Sequence, residues 1–180
     1  MKRKLILKIL LISWIMPTLS KAQCLVTTIP NGETTFFGGE RLIINSDTVN
    51  ERIGFMLILN VTIAVDKKTL GYNPMLMLQL LKLSSKPLHY PNYVKFKFVN
   101  GRTLEFYSNE NDIQTKDEGG IKYSQVLFNL KEGELAAFQK IPLTMITVAD
   151  ATTHQIMIDK SRSQDIMVET NCVMKKVGLE

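Results

Sequence analysis

The sequence predicts an α+β chain that is mainly β. It should form an antiparallel sheet, or a two-sheet sandwich, of about six to eight strands, with a short helix near residues 132–140 and a C-terminal helix near 162–177. Three observations carry this expectation. The run from Gly54 to Val65, GFMLILNVTIAV, is apolar and weighted by Ile58, Val61, Thr62, Ile63 and Val65 toward a buried strand. Val94, Phe96 and Phe98 alternate with Lys95 and Lys97 before Asn100-Gly101, and Thr103 to Tyr107 returns, which is the pattern of an antiparallel hairpin. Near the end, Ile166, Thr170, Val173 and Val177 recur on one helical stripe, with Cys172 well off it.

The first residues set the compartment. Lys2, Arg3 and Lys4 precede an apolar core, Ile9 to Met16, which Pro17 breaks; Ser20 and Ala22 put small residues at the −3 and −1 positions of a cleavage site. Residues 1–22 therefore read as a secretory signal removed before Gln23, leaving 23–180 as a single β-rich domain that is secreted or periplasmic. An uncleaved anchor is the alternative, although Lys8 shortens the apolar stretch well below the ~20 residues of a span. No transmembrane span is expected in the mature chain, since Asn60 and Thr62 interrupt its longest apolar run.

Cleavage changes the charge. Five of the 22 Lys and Arg lie in the signal (Lys2, Arg3, Lys4, Lys8 and Lys21), so the 17 that remain match the 17 Asp and Glu. A formally neutral chain without a basic stripe argues against nucleic acid as a partner. The two cysteines, Cys24 and Cys172, stand at opposite ends of the domain, and in an oxidising compartment such a pair suggests a disulfide. Two unpaired thiols remain the other reading. Acylation of Cys24, as in a lipoprotein, is a further alternative that Gln23 disfavours, because small residues precede a lipidated cysteine.

Along the mature chain, Cys24 to Ile29 and Thr34 to Phe37 are β-prone around a Pro30-Asn31-Gly32 turn, and Arg41 to Ile44 is a further strand. Asn45 to Arg52 shows no period and reads as a loop. In the 54–65 strand both faces are apolar, so both should be covered. Met75 to Leu83 is expected to be a strand, with a helix as competitor for so short an apolar run. Ser84 to Asn92 is a loop with two prolines, and residues 109–120 a polar, acidic loop. Ile121 to Leu130 is a strand. Asn129 and Glu132 have capping-box spacing for the first helix, as Ser161 and Gln164 have for the last. Between the helices Leu143, Ile146 and Val148 should pair with His154 to Ile158.

Candidate chemistry is thin. Asp150, His154 and Ser161 or Ser163 assemble a hydrolytic trio on paper, but no Gly-x-Ser-x-Gly elbow accompanies them, so no catalytic residue is assigned. His89, Tyr90 and Tyr93, set around Pro87 and Pro91, form an aromatic loop able to contact a sugar or a protein and are the expected ligand-binding residues. Glu110, Asp112, Asp117 and Glu118 concentrate carboxylates without the spacing of a calcium loop, so no metal site or cofactor is expected. Met56, Met75, Met77, Met145 and Met157 fall in predicted strands as core filler, or as the lining of an adaptable apolar pocket. Asn60-Val-Thr62 matches a glycosylation sequon, in a place unsuited to its use.

The absence of reactive clusters favours a non-enzymatic binding or interaction module of the bacterial cell envelope, with a protein, small-molecule or glycan ligand. The alternatives are a hydrolase using Asp150 and His154, and a structural or inhibitory envelope subunit that pairs through an edge strand. Mass spectrometry of the unreduced protein from its own envelope should give a chain beginning at Gln23 and two hydrogens lighter than the dithiol. An intact N-terminus or an acyl adduct would overturn the leader reading.

Overall fold

The longest strand, β4 (Arg52–Asp66), is the axis of the molecule. The computed structural model describes residues 24–49, 52–83, 93–108, 113–118, 121–149 and 153–179; the expected signal segment and the proline loop at 84–92 lie outside them. Before β4 come β1 (Thr27–Asn31), β2 (Thr34–Gly38) and β3 (Leu42–Val49); after it come β5 (Tyr72–Leu83), β6 (Tyr93–Phe98), β7 (Thr103–Tyr107), β8 (Ile113–Glu118) and β9 (Ile121–Asn129). Helix α1 (Glu132–Lys140), β10 (Leu143–Ala149), β11 (Thr153–Met157) and helix α2 (Lys160–Val177) complete the order. One antiparallel sheet runs β1-β2-β4-β5-β9-β8 with β3 also on β4, and a second runs β11-β10-β6-β7.

Period-two alternation builds the core. Leu57, Leu59, Val61 and Ile63 of β4 stand beside Leu76, Leu78 and Leu80 of β5 and Val126 and Phe128 of β9, and all are buried on the inner face of the seven-stranded sheet. Val94, Phe96 and Phe98 of β6, with Ile146 and Val148 of β10, form the inner face of the other. Phe106 and Phe128 join the two sheets at a ring-centroid distance of 5.2 Å. Phe138 of α1 meets Phe96 and Phe98 edge-on at 5.1 and 5.4 Å. Helix α2 packs against α1, β4, β2 and β10 through Ile166, Thr170 and Val173.

The mainly β architecture, the hairpin across Asn100-Gly101 and both helices agree with the sequence, and residues 75–83 are strand rather than helix. Three expectations are corrected. Asn45 to Val49 and Ile113 to Glu118 are strand, not loop: the first lengthens β3, the second is β8, and the described residues hold eleven strands. Both segments lie at sheet edges, where polar residues satisfy their backbone on one neighbouring strand and need no apolar period. The helix caps are displaced as well: Glu134 accepts the Lys131 N–H at 2.7 Å, and Asp159 accepts the Arg162 N–H at 2.8 Å. Finally, the second face of β4 is only partly covered, with Met56, Ile58 and Thr62 half-exposed.

Two strands share one edge of β4: β2 along residues 62–66 and β3 along 52–59. Between them Gly39, Glu40 and Arg41 leave the ladder, and their backbone groups need other partners. From the outer face, Asn60 Nδ2 donates to the carbonyls of Gly39 at 2.5 Å and Glu40 at 3.2 Å, while its Oδ1 accepts from Thr62 Oγ1 at 2.7 Å. The Gly39 N–H donates to Val61 O at 3.0 Å. From the inner side, Glu169 Oε2 accepts the Glu40 N–H at 2.9 Å. The helix comes so close that a Cβ on Gly39 would lie 3.0 Å from Val173 Cγ2, which is why glycine stands there. The burial of Asn60, 5% exposed with both amide atoms engaged, also closes the sequon to glycosylation.

Cys24 and Cys172 are bonded, with Cα atoms 5.3 Å apart at a sequence separation of 148. By loop-closure entropy such a bond contributes about 4–5 kcal/mol. It fastens the start of the described chain to α2. It also overturns lipidation at Cys24, because the thioether would need the sulfur that Cys172 holds.

Asn60→Ala, which strands two carbonyls, is expected to cost about 1–3 kcal/mol. Reduction of the disulfide should cost about 2–5 kcal/mol. Thermal denaturation followed by circular dichroism measures both, at roughly 2–4 °C per kcal/mol for a domain of this size. An Asn60→Ala variant as stable as the parent would contradict the role given to this amide.

Candidate functional site

The partly covered face of β4 continues across its neighbours. Cross-strand register puts Ile29 beside Phe36 and Ala64, Thr62 beside Met75, Asn60 beside Met77, and Ile43 beside Ile58 and Gln79. Gln79 and Gln125 hydrogen-bond across this face at 2.7 Å. Several of its large apolar residues are open to solvent: Leu25 is 62% exposed, Ile29 56%, Ile43 48% and Leu127 42%. Apolar residues scattered singly over a surface are ordinary, whereas contiguous exposed apolar patches mark interaction sites.

Within it lies a concavity of about 450 Å³. Leu25, Ile29, Phe36 and Met77 make its apolar walls; Thr62, Glu40 and Arg41 make a polar end, and the tethered amide of Asn60 lies in the lining. The volume falls within the range of small-ligand pockets. Its position follows from the end of β2: Gly38 carries no side chain on this face, where a Cβ would lie beside Thr62 and Asn60, so the surface dips there. One wall, Leu25 to Ile29, follows directly from the disulfide-tethered Cys24.

No protein-family model matches the chain, and no curated protein or solved structure is detectably similar to it. The residues themselves therefore carry the functional argument.

Of the expected aromatic loop, His89 and Tyr90 lie outside the described residues. Tyr93 is the first residue of β6, on the outer face of the four-stranded sheet and paired in the strand, and its ring lies 5.2 Å from that of Tyr107 on β7. Beside them Lys95 Nζ and Glu105 Oε1 are 2.7 Å apart. The hydrogen bond from Lys95 holds the Glu105 carboxyl below the usual range, and the same bond raises Lys95. Desolvation, then the Glu105 charge, raises the Tyr93 phenol.

Asp150, the acid of the paper trio, is outside the described residues. His154 stands half-buried on β11 opposite Val148. Ser163 is buried and its Oγ accepts the Leu143 N–H at 2.9 Å, a structural bond joining α2 to β10; Ser161 is exposed. Glu110 and Asp112 also lie outside, while Asp117 and Glu118 belong to β8. Among the described residues no helix is long and apolar enough to cross a membrane.

The groove was signalled in the sequence by apolar residues on both faces of β4 and by Met77 on β5. Only the fold separates the covered face from the open one.

The Lys95–Glu105 pair makes a pH prediction. A carboxylate whose folded pKa is depressed contributes stability above its unfolded value and loses it as pH falls through the folded one. The raised Lys95 contributes below its unfolded value and loses it as pH rises through its folded one. In a ¹³C NMR titration the Glu105 carboxyl should titrate below the usual glutamate range and move up toward it in Lys95→Met. An unchanged midpoint would show that the pair does not form in solution.

Proposed function

We propose that this chain is a non-enzymatic binding module of the bacterial cell envelope, secreted or periplasmic, whose recognition surface is the groove on the outer face of the seven-stranded sheet. The observation that carries the reading is the groove itself: an open depression of about 450 Å³ with apolar walls and a polar end at Glu40 and Arg41. Such a lining suits a ligand with an apolar body and a polar terminus. Met77 and Leu25 are unbranched at Cβ, and the methionine thioether adapts to irregular shapes. The Cys24–Cys172 bond favours an oxidising compartment. The rigid attachment of the groove wall through that bond favours a preformed site, which lowers the ordering cost of binding.

Titration with the dye 1-anilinonaphthalene-8-sulfonate tests this directly. Saturable fluorescence enhancement is expected in the native protein, with affinity reduced about tenfold or more in Met77→Glu, since a carboxylate in an apolar groove repels both the ring and the sulfonate. Met157→Glu, at a residue 75% exposed on the other sheet, is the control and should leave binding unchanged. Equal loss in both variants, or in neither, would remove the groove as the binding surface.

A further inference from the structure

The seven-stranded sheet has a step in its edge. β1 covers the far side of β2 along its whole length, from Thr27 against Gly38 to Asn31 against Thr34. β3 continues the line of β2 along β4, yet among the described residues it pairs with β4 alone. A strand-wide notch is left beside β3, abutting the start of β1.

The notch has a definite lining. A second concavity, of about 280 Å³, lies between the edge of β3 and the first turns of α2, bounded by Leu42, Ile43, Ile44, Arg162 and Asp165. It shares Glu40 and Arg41 with the groove, so the two depressions meet at the break between β2 and β3. The Ile43 carbonyl points away from the β4 ladder, and its partner is the guanidinium of Arg162, a side chain, where a neighbouring strand would supply an N–H. Ile43 itself is 48% exposed on the groove side of the sheet.

We infer that the ligand of this surface is an extended peptide that adds to the free edge of β3 as a strand, with alternate apolar side chains directed to the outer face beside Ile43 and the groove. This rests on the binding-module reading above. The chemistry follows from the notch. An edge of unpaired main-chain groups is complementary to another extended backbone, and main-chain bonds set affinity while alternate side chains set specificity. β3 has eight residues, so the complementary segment is of similar length. Exposed edges are ordinarily guarded against chance pairing, and two guards are present here: the bulge between Ile43 and Asn45, and Arg162. The arginine guard is reversible. Its side chain is 43% exposed and lies 3.7 Å from Asp159, which keeps a partner for the guanidinium when a peptide N–H takes the Ile43 carbonyl.

The probe is a fluorescein-labelled peptide of alternating valine and threonine with a lysine at each end, titrated into the oxidised protein and followed by anisotropy. Two further versions carry N-methyl groups, one on all its valines and the other on all its threonines. In a strand, the residues whose N–H groups face one neighbour share one side-chain face, so a single methylated version should bind about tenfold more weakly while the other binds as the parent does. Arg162→Ala should tighten binding several-fold. Equal binding of both methylated peptides, or no binding of the parent, overturns the inference. The groove reading then stands or falls separately on the dye titration of Met77→Glu. Self-association lost in Ile43→Lys, without peptide binding, would also overturn it, because the edge would then be occupied by a second copy of the chain.

Discussion

The structure depends on how the β2–β3 break is held against β4. A fifteen-residue strand offers more edge than either β2 or β3 can cover, and the chain covers it with both in series. The cost of this arrangement is three residues, Gly39 to Arg41, whose backbone has left the ladder. Asn60 and Glu169 repay it from opposite faces: one amide bridges two carbonyls, and one carboxylate caps an N–H. Both side chains are almost fully buried, at 5% and 7% exposure, and an unpartnered polar group at that depth costs more than a formed hydrogen bond gains. The joint thereby ties the sheet to α2 and fixes where the outer surface dips.

From that joint the remaining features follow in space. Glycine at residue 39 lets α2 approach until Val173 touches the break, and Cys172, the residue before it on the helix, reaches Cys24. The disulfide therefore does more than close a long loop. It sets the direction in which Leu25 and Val26 leave the helix and enter β1, and so places the wall of the groove. On the opposite side of the core, Phe138 and the rings of Phe96, Phe98, Phe106 and Phe128 join the second sheet without touching the outer face of the first. Core and open groove occupy opposite faces of the same strands. The inner face can thus be optimised for packing while the outer one stays half-exposed.

Legibility in the sequence tracked the range of the interactions. The β6–β7 hairpin was readable because turn and alternation lie within fifteen residues, with Gly101 at φ 85° where a side chain would be strained. The strand at 75–83 was readable from the turn residues that bracket it, though it begins earlier, at Tyr72, within the expected turn, and both helices were readable from apolar period. The polar second half of β3 and the whole of β8 were missed because polar edge segments carry no apolar period, and their pairing is set by β4 and β9 rather than by themselves. Asn60 stood out in an apolar run, but its partners are 20 and 21 residues distant, and no local pattern connects them. The apolar second face of β4 was visible; that it is open was not, since coverage is decided by where α2 and the other sheet are placed. Of the residues singled out for ligand binding, only Tyr93 is described, and it belongs to a paired strand on the far sheet.

The joint is tested most directly by residue-resolved amide hydrogen exchange of the oxidised protein. If Asn60 and Glu169 hold the break closed, the N–H groups of Gly39 and Glu40, bonded to Val61 O and Glu169 Oε2, should exchange as slowly as those in the middle of β4. Exchange at the rate of a solvent-exposed loop would contradict the account, because the groove would then have no fixed floor and the step at β3 no fixed edge.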